Sequence, residues 1–263
     1  MFNRFNQLHE SSEDPLVLPN CWDVVTARLI EEAGASALAT TSAAVAWSMG
    51  SPDGNQLDRD LMLANLQRIT EAVDVPVSCD IEGGFGDDDK ALSETTRMVI
   101  GAGAVGVNLE DSLDDGSLRS VDDAARRVKV VREAAGKEGV DLYLNARTDT
   151  YLVGDGDLDD TLARADAYLS VGASGVFVPG TADLATISTL TEAIQAPVNI
   201  LVGPESPPVP ELAEAGVRRI SAGSSLAGAV LGHLSRAAHE LLNEGTYQRL
   251  EIPLPWADLN ALF

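Results

Sequence analysis

Eight short apolar runs alternate with longer amphipathic stretches along the chain. The runs are Leu16–Asn20, Ala37–Ser42, Val75–Ile81, Gly106–Asp111, Asp141–Arg147, Gly175–Pro179, Pro197–Val202 and Arg218–Ala222. Most are β-branched and lack a polar alternate face, the pattern of strands covered on both sides in a parallel sheet. Between them, Val24–Ala33, Leu57–Ala72, Asp88–Ile100, Val121–Ala135, Leu158–Leu169, Ala182–Ala193 and Val209–Ala215 have the spacing of helices with one apolar stripe, and Ser225–Asn243 supplies the last long one. Joints such as Glu-Ala-Gly34 and Glu-Ala-Gly216 place a glycine where a helix must close before the next strand.

This alternation, with no proline-rich linker, predicts an α/β fold of the (β/α)8 TIM-barrel type as one domain over residues 1–263. The length agrees with the roughly 250 residues of such barrels. A doubly wound open sheet is the alternative, but no Gly-x-Gly-x-x-Gly follows the first strand. Residues 243–263 form a tail rich in apolar side chains: Ile252, Leu254, Trp256, Leu259, Leu262 and Phe263. That surface exceeds what a free terminus exposes, so the tail is expected to pack on a neighbouring subunit.

The net charge of −23 changes the picture of partners. Nucleic-acid binding needs a basic footprint, and the chain has three lysines, Lys90, Lys129 and Lys137. Acidic clusters such as Asp87–Asp89 and Asp122-Asp123 read as a solvated, self-repelling surface, compatible with a high-salt environment. No apolar run approaches the ~20 residues of a membrane span, and the N-terminus lacks a secretory pattern; a cytoplasmic location is expected. Cys21 and Cys79 make no disulfide framework, and Cys79 reads as a packed thiol inside a strand.

Three successive strands end in charge: Asp80-Ile-Glu82-Gly-Gly-Phe-Gly86, Glu110-Asp111 and Asn145-Ala-Arg147-Thr-Asp149. Strand alternation is expected to put Asp80 and Glu82 on the same side. Carboxylates converging on one barrel rim suit a hard divalent cation held through oxygen. Arg147 beside them would grip a substrate carboxylate in two-point contact, or pair with Asp149 or Glu110. Gly223-Ser224-Ser225 after the last strand reads as a serine helix cap, with a phosphate site as the alternative. His9, His233 and His239 lie away from all strand ends.

These motifs resemble the isocitrate lyase/phosphoenolpyruvate mutase superfamily. Asp80-Ile-Glu82-Gly-Gly-Phe-Gly86 is similar to its Asp-x-Asp-x-Gly-Tyr-Gly motif, Glu110-Asp111 to its Glu-Asp pair, and Ala146-Arg147-Thr-Asp149 to its Ala-Arg-Thr-Asp segment. Asn20-Cys-Trp-Asp23, Thr40-Thr-Ser-Ala-Ala44 and Met49-Gly-Ser-Pro-Asp53-Gly54 match in order. The resemblance implies a Mg2+ enzyme, with Mn2+ as a substitute, that works through the enolate of a 2-oxo acid. It implies Asp80 as direct metal ligand, and Glu82 and Glu110 acting through water. Arg147 would be the carboxylate clamp, and Thr41, Ser42 and Ala43 the cradle for the oxo acid. Asp53 would stand at the site's edge, to gate it or assist catalysis. The resemblance also implies a homotetramer with a swapped eighth helix. Apart from the resemblance, Trp47 and the Ser112–Arg119 segment are expected near the substrate side chain.

The chain departs from the family's isocitrate and methylisocitrate lyases after the Glu-Asp strand. Their Lys-Lys/Arg-Cys-Gly-His loop is here Ser112–Arg119, without Cys, Lys or His. The expectation is a lyase or decarboxylase for a small 2-oxo or 2-hydroxy acid, oxaloacetate first. The alternatives are P–C bond chemistry on phosphonopyruvate and a silent 2-oxo-acid binding protein.

Overall fold

The computed structural model describes residues 1–10, 14–250 and 254–263. Its strands are β1 (Leu16–Leu18), β2 (Asn20–Cys21), β3 (Leu38–Thr40), β4 (Val77–Asp80), β5 (Gly106–Glu110), β6 (Tyr143–Arg147), β7 (Gly175–Val178), β8 (Val198–Leu201) and β9 (Arg219–Ser221). All pairings between them are parallel, in the order β1-β9-β8-β7-β6-β5-β4-β3-β2. Pro19, which has no N–H to give a ladder, separates β1 from β2. The two pieces are one barrel strand: the first half pairs with β9 and the second with β3, which closes the sheet. The expected eight-stranded TIM-type barrel is the fold.

The helices are α1 (Phe2–Gln7), α2 (Val24–Glu32), α3 (Ser42–Ser48), α4 (Arg59–Ala72), α5 (Asp89–Gly101) and α6 (Val121–Lys137). They continue with α7 (Thr150–Val153), α8 (Leu158–Ser170), α9 (Leu184–Ala193), α10 (Val209–Glu214), α11 (Ser225–Asn243) and α12 (Trp256–Ala261). Side-chain carboxylates of Asp23, Asp58, Asp88, Asp157 and Asp183 cap α2, α4, α5, α8 and α9 by accepting N–H bonds. Part of the acidity read as solvated surface therefore starts helices. Among the described residues, no helix is long and apolar enough to cross a membrane.

The apolar core lies between sheet and helices, where Cys79, Val107, Leu144, Leu66 and Val131 pack. The barrel interior is different. Asp80, Asn108 and Asn145 are register partners across β4, β5 and β6, and Asn199 pairs with Arg219 across β8 and β9. Typical barrels fill these layers with branched apolar residues; here they carry amides and charge. α1 plugs the end of the barrel where the strands begin. Phe5 is fully buried there against Tyr143, and Gly106 makes room for it, since a Cβ would stand 2.8 Å from the Phe5 ring.

α11 buries little of its length, unlike the long helices α4, α5, α6 and α8 that pack on the sheet. Its buried residues are Ala227, Ala237 and Glu240, while Val230, Leu231, Leu234 and Leu242 are exposed, the last at 81%. Glu240 ties it instead to the following turn, accepting from Thr246 Oγ1, Gln248 N–H and Arg249 N–H. Correspondingly, Val17 in β1 is 41% exposed, and a groove of about 710 Å3 runs beside it, lined by Leu8, Leu16, Pro19, Leu29 and Ile30. In the tail, Leu254, Trp256 and Phe263 are exposed; Ile252 lies outside the described residues.

Candidate active site

The strand ends meet at a cavity of about 140 Å3. Asp80 and Arg147 face it from β4 and β6, Asp53 from the loop after α3, and Thr41, Ser42 and Ala43 from the start of α3. The Thr-Ser-Ala segment, expected as the oxo-acid cradle, opens a helix. Val45 makes the first intrahelical bond, to the Thr41 carbonyl, so the preceding N–H groups are free of helical partners. Trp47 is 44% exposed on α3 and is not brought into the cavity lining.

Arg147 is held on three sides. Its Nε and Nη2 donate to Asp149 at 2.6 and 3.0 Å, and its Nη1 lies 2.8 Å from Glu110. Both expected ion pairs form. The Asp149 bonds use two of the five guanidinium N–H groups, and with Glu110 paired to Nη1 at least one N–H is left on each Nη. Burial opposes the charge, but Glu110, Asp149 and Asp80 together hold the guanidinium above the ordinary arginine value. Asp149 is fixed in turn, its N–H donating to Asp111 at 2.9 Å. Asp111 also accepts from Tyr168 and Arg164, at 2.6 and 3.0 Å. The Glu-Asp pair thus divides: Glu110 faces Arg147 and Asp111 anchors the frame behind it.

The acids of the rim are reluctant to ionise. Burial pushes Glu110 up to about 8 against the pull of Arg147, with Asp80, Asp149 and Glu82 adding to the rise. Burial likewise raises Glu82 to about 7, against the Asn55 N–H that it accepts. Asp80 is raised by burial; Arg147 and the N–H groups of Glu82 and Ser42 oppose the shift, and Asp53 adds to it.

Glu82 departs from the expected strand geometry. β4 ends at Asp80, and Glu82 has φ +49°, a left-handed conformation uncommon for a residue with a Cβ. Such a backbone costs of order 1–3 kcal/mol unless its surroundings impose it. Here Asn55 imposes it: its N–H meets the Glu82 carboxylate, and its Oδ1 accepts from Gly83 at 3.2 Å. Asp80 and Glu82 still line one small void with Thr40 and Ser42.

Among the described residues, no three His, Cys, Asp or Glu side chains converge closely enough to enclose a metal ion by themselves. The donor set nevertheless fits a hard cation. Asp53, Asp80, Glu82 and Glu110 supply only oxygen. Burial is the main reason these acids resist ionising, repulsion among neighbouring carboxylates adds to it, and a bound cation would oppose both. Asp80 would be the direct ligand, and Glu82 and Glu110 would reach the ion through water.

Several cavity residues were not among the expected ones: Asn20, Asn108, Phe177, Leu201 and Ser221. Asn20 ties the barrel seam, donating to the Thr40 carbonyl at 2.9 Å and accepting from the N–H groups of Ala222 and Gly223 at 2.9 and 2.8 Å. That occupies one donor of the conceivable phosphate loop, and Ser224 makes no side-chain cap bond either. An amide inside an otherwise apolar strand was the available signal for both Asn20 and Asn108.

The Ser112–Arg119 segment is a small hairpin, with a bridge between Ser112 and Leu118 and Asp115 bonded to the Ser117 hydroxyl. Asn55 Nδ2 donates to its Asp114 at 3.1 Å. Cys21 and Cys79 are buried; burial pushes the Cys21 thiol up to about 12 and raises Cys79 as well, so neither is a ready thiolate. His9, stacked on Tyr143, is lowered by burial to about 3.

The chain is similar to known proteins along most of its length. The family described as phosphoenolpyruvate phosphomutase matches residues 5–242. A Burkholderia cenocepacia crystal structure provisionally named a lyase/mutase superimposes with a TM-score of 0.92 at 40% identity, covering 98% of this chain and 94% of that one. Oxaloacetate decarboxylase of Paraburkholderia xenovorans is 30% identical over 74% of this chain and 66% of its own. The 2-methylisocitrate lyase of Escherichia coli is 29% identical over 72% of this chain and 65% of its own.

Proposed function

The chain belongs to the isocitrate lyase/phosphoenolpyruvate mutase superfamily, and from that premise we propose that it is a Mg2+-dependent lyase for a small 2-oxo acid, with oxaloacetate decarboxylation favoured. The observation that carries the reading is one cavity faced by both Asp80 and Arg147, whose guanidinium has two N–H groups to spare. They suit the two-point contact of a carboxylate. The Thr41 N–H is taken by the Cys21 carbonyl and the Ser42 N–H by Asp80, so this segment offers the Ala43 N–H and the Thr41 and Ser42 hydroxyls to the rest of the oxo acid. A bound Mg2+ would supply stabilisation of the charge that develops on the oxo oxygen as the C–C bond breaks.

Size and charge narrow the substrate. The cavity, about 140 Å3, is well below the ~300–1,000 Å3 of drug-sized sites. Arg147 is the one cationic side chain in its lining among the described residues. Phosphonopyruvate, with a carboxylate and a phosphonate, carries more negative charge than oxaloacetate, and the described residues of the lining hold no second cationic side chain to meet it, so we put P–C chemistry second. Steady-state release of CO2 from oxaloacetate, with Mg2+ and with chelator, tests the reading. Binding of oxaloacetate without turnover would favour a silent binding protein.

The same reading includes a homo-oligomer, with a tetramer expected. The unburied apolar face of α11 and the groove beside Val17 are complementary in character. In the swapped arrangement, each would be covered by a neighbouring copy.

A further inference from the structure

The polar interior of the barrel holds a side chain with a defined orientation and no role in the reading above. Asn108, on β5, is 5% exposed and lines the cavity with Asp80 and Arg147. Its Oδ1 accepts two hydrogen bonds, from Asn145 Nδ2 at 2.9 Å and from Arg219 Nη2 at 3.2 Å. Arg219 decides which way the amide points. A guanidinium only donates, so the Asn108 atom facing it must be the oxygen. Arg219 is 1% exposed, over the rings of Phe5 and Tyr143, and its Nε and Nη1 have no hydrogen-bond partner among the described residues. A flipped amide would cost this buried cation its Asn108 contact and oppose NH2 to two donors. The oxygen is therefore fixed toward Arg219 and Asn145, and the amide nitrogen is left for the cavity.

We propose that Asn108 is a substrate-binding residue whose Nδ2 donates to an anionic oxygen of the acid gripped by Arg147. The inference rests on the 2-oxo-acid reading and adds a specificity element to it. Asp80, the register partner of Asn108 on β4, offers only acceptors. Asn108 thus gives the Asp80 side of the cavity a donor that carries no charge. It favours an acid with a second anionic oxygen beyond the carboxylate held by Arg147, as in a 2-oxo dicarboxylate or its planar mimic oxalate.

The test is titration of oxalate into the Mg2+-loaded protein and into the Asn108→Asp variant, with Mg2+ binding measured separately without oxalate. The replacement keeps the shape, and its carboxylate still accepts from Arg219 and Asn145, so the variant should fold with an undiminished Tm. It cannot donate to the ligand. Oxalate affinity is expected to fall at least about tenfold, the scale of a lost hydrogen bond to a charged group, while Mg2+ binding does not weaken. Asn108→Ser, whose short hydroxyl does not reach the ligand, serves if the first variant folds poorly, and the same loss is expected. Wild-type oxalate affinity in either folded variant overturns the role of Asn108 and leaves the proposed function standing. A wild-type protein that binds no oxalate overturns the 2-oxo-acid reading and this inference with it.

Discussion

Nη1 of Arg147 lies 2.8 Å from Oε2 of Glu110, across the last rung of the β5–β6 ladder where the two residues are register partners. The pair joins the acid rim to the carboxylate clamp. Asp149 holds the other edge of the guanidinium. A lysine has one ammonium and cannot satisfy Glu110, Asp149 and a substrate from one plane. Arg147→Lys should weaken oxaloacetate or oxalate binding by about 10–100-fold, as expected for losing a charge-assisted contact. Circular dichroism should show the fold retained. Unchanged KM in a folded variant would remove Arg147 from the substrate site.

Asp80→Ala should abolish metal-dependent turnover, and excess chelator should do the same to the wild type. Asp80 is the acid that lines both the main cavity and the small void shared with Glu82. Activity that persists in chelator would sink the metal assignment, whatever the substrate.

The rim acids also predict a pH dependence. In the metal-free protein Glu82 and Glu110 titrate near 7 and 8, chiefly because burial disfavours their charge. In the unfolded chain glutamate titrates near about 4.3. Between those values the folded state binds more protons than the unfolded one, so stability falls as pH rises. The loss begins above about pH 4.3 and is complete once pH passes the folded value of Glu110. Mg2+ requires the ionised carboxylates, so its apparent affinity should rise over pH 6–8.5, and saturating Mg2+ should flatten the stability profile. Urea midpoints at several pH values, for wild type and Glu110→Gln, measure this. A metal-free profile identical in the two proteins would remove Glu110 as the source.

The barrel was legible in the sequence because each strand is covered on both faces, leaving short β-branched runs such as Gly175–Val178. α1, α3, α7 and α12 were not, being four to seven residues long and without a full amphipathic repeat. The charged strand ends pointed to Asp80, Glu110 and Arg147. Asn108 stayed hidden because its orientation is set by Asn145 and Arg219, which are 37 and 111 residues away. Glu82 was misplaced because alternation was carried past the end of β4 into a left-handed turn imposed by Asn55.

Assembly should depend on α11. Leu234 is 60% exposed and stands on the same helix as exposed Val230 and Leu231. A charge in that face would oppose burial against a neighbouring copy without disturbing the barrel. Light scattering should show an oligomer for the wild type, and Leu234→Glu should give a smaller species with the same circular dichroism. A wild-type monomer at working salt would rule out the swapped helix.

Substrate choice should follow the hairpin at Ser112–Arg119. Isocitrate and methylisocitrate cleavage requires a proton delivered to the departing carbanion, and general acid–base help of this kind is typically worth about 10²–10⁴-fold. The hairpin has no Cys, Lys or His to give it. Asp115 is a poor acid, because the Ser117 hydroxyl and N–H hold its carboxyl below its usual range. Asp114 is engaged by Asn55. The cysteines near the site are buried, and burial raises both thiols. Oxaloacetate makes no such demand: CO2 leaves while Arg147 holds the remaining acid, and water can protonate the enolate. The expected outcome is measurable oxaloacetate decarboxylation, with methylisocitrate cleavage slower by at least about a hundredfold, in line with the lost acid–base help. Parallel steady-state assays decide it, and efficient methylisocitrate cleavage with oxaloacetate inert would refute the assignment.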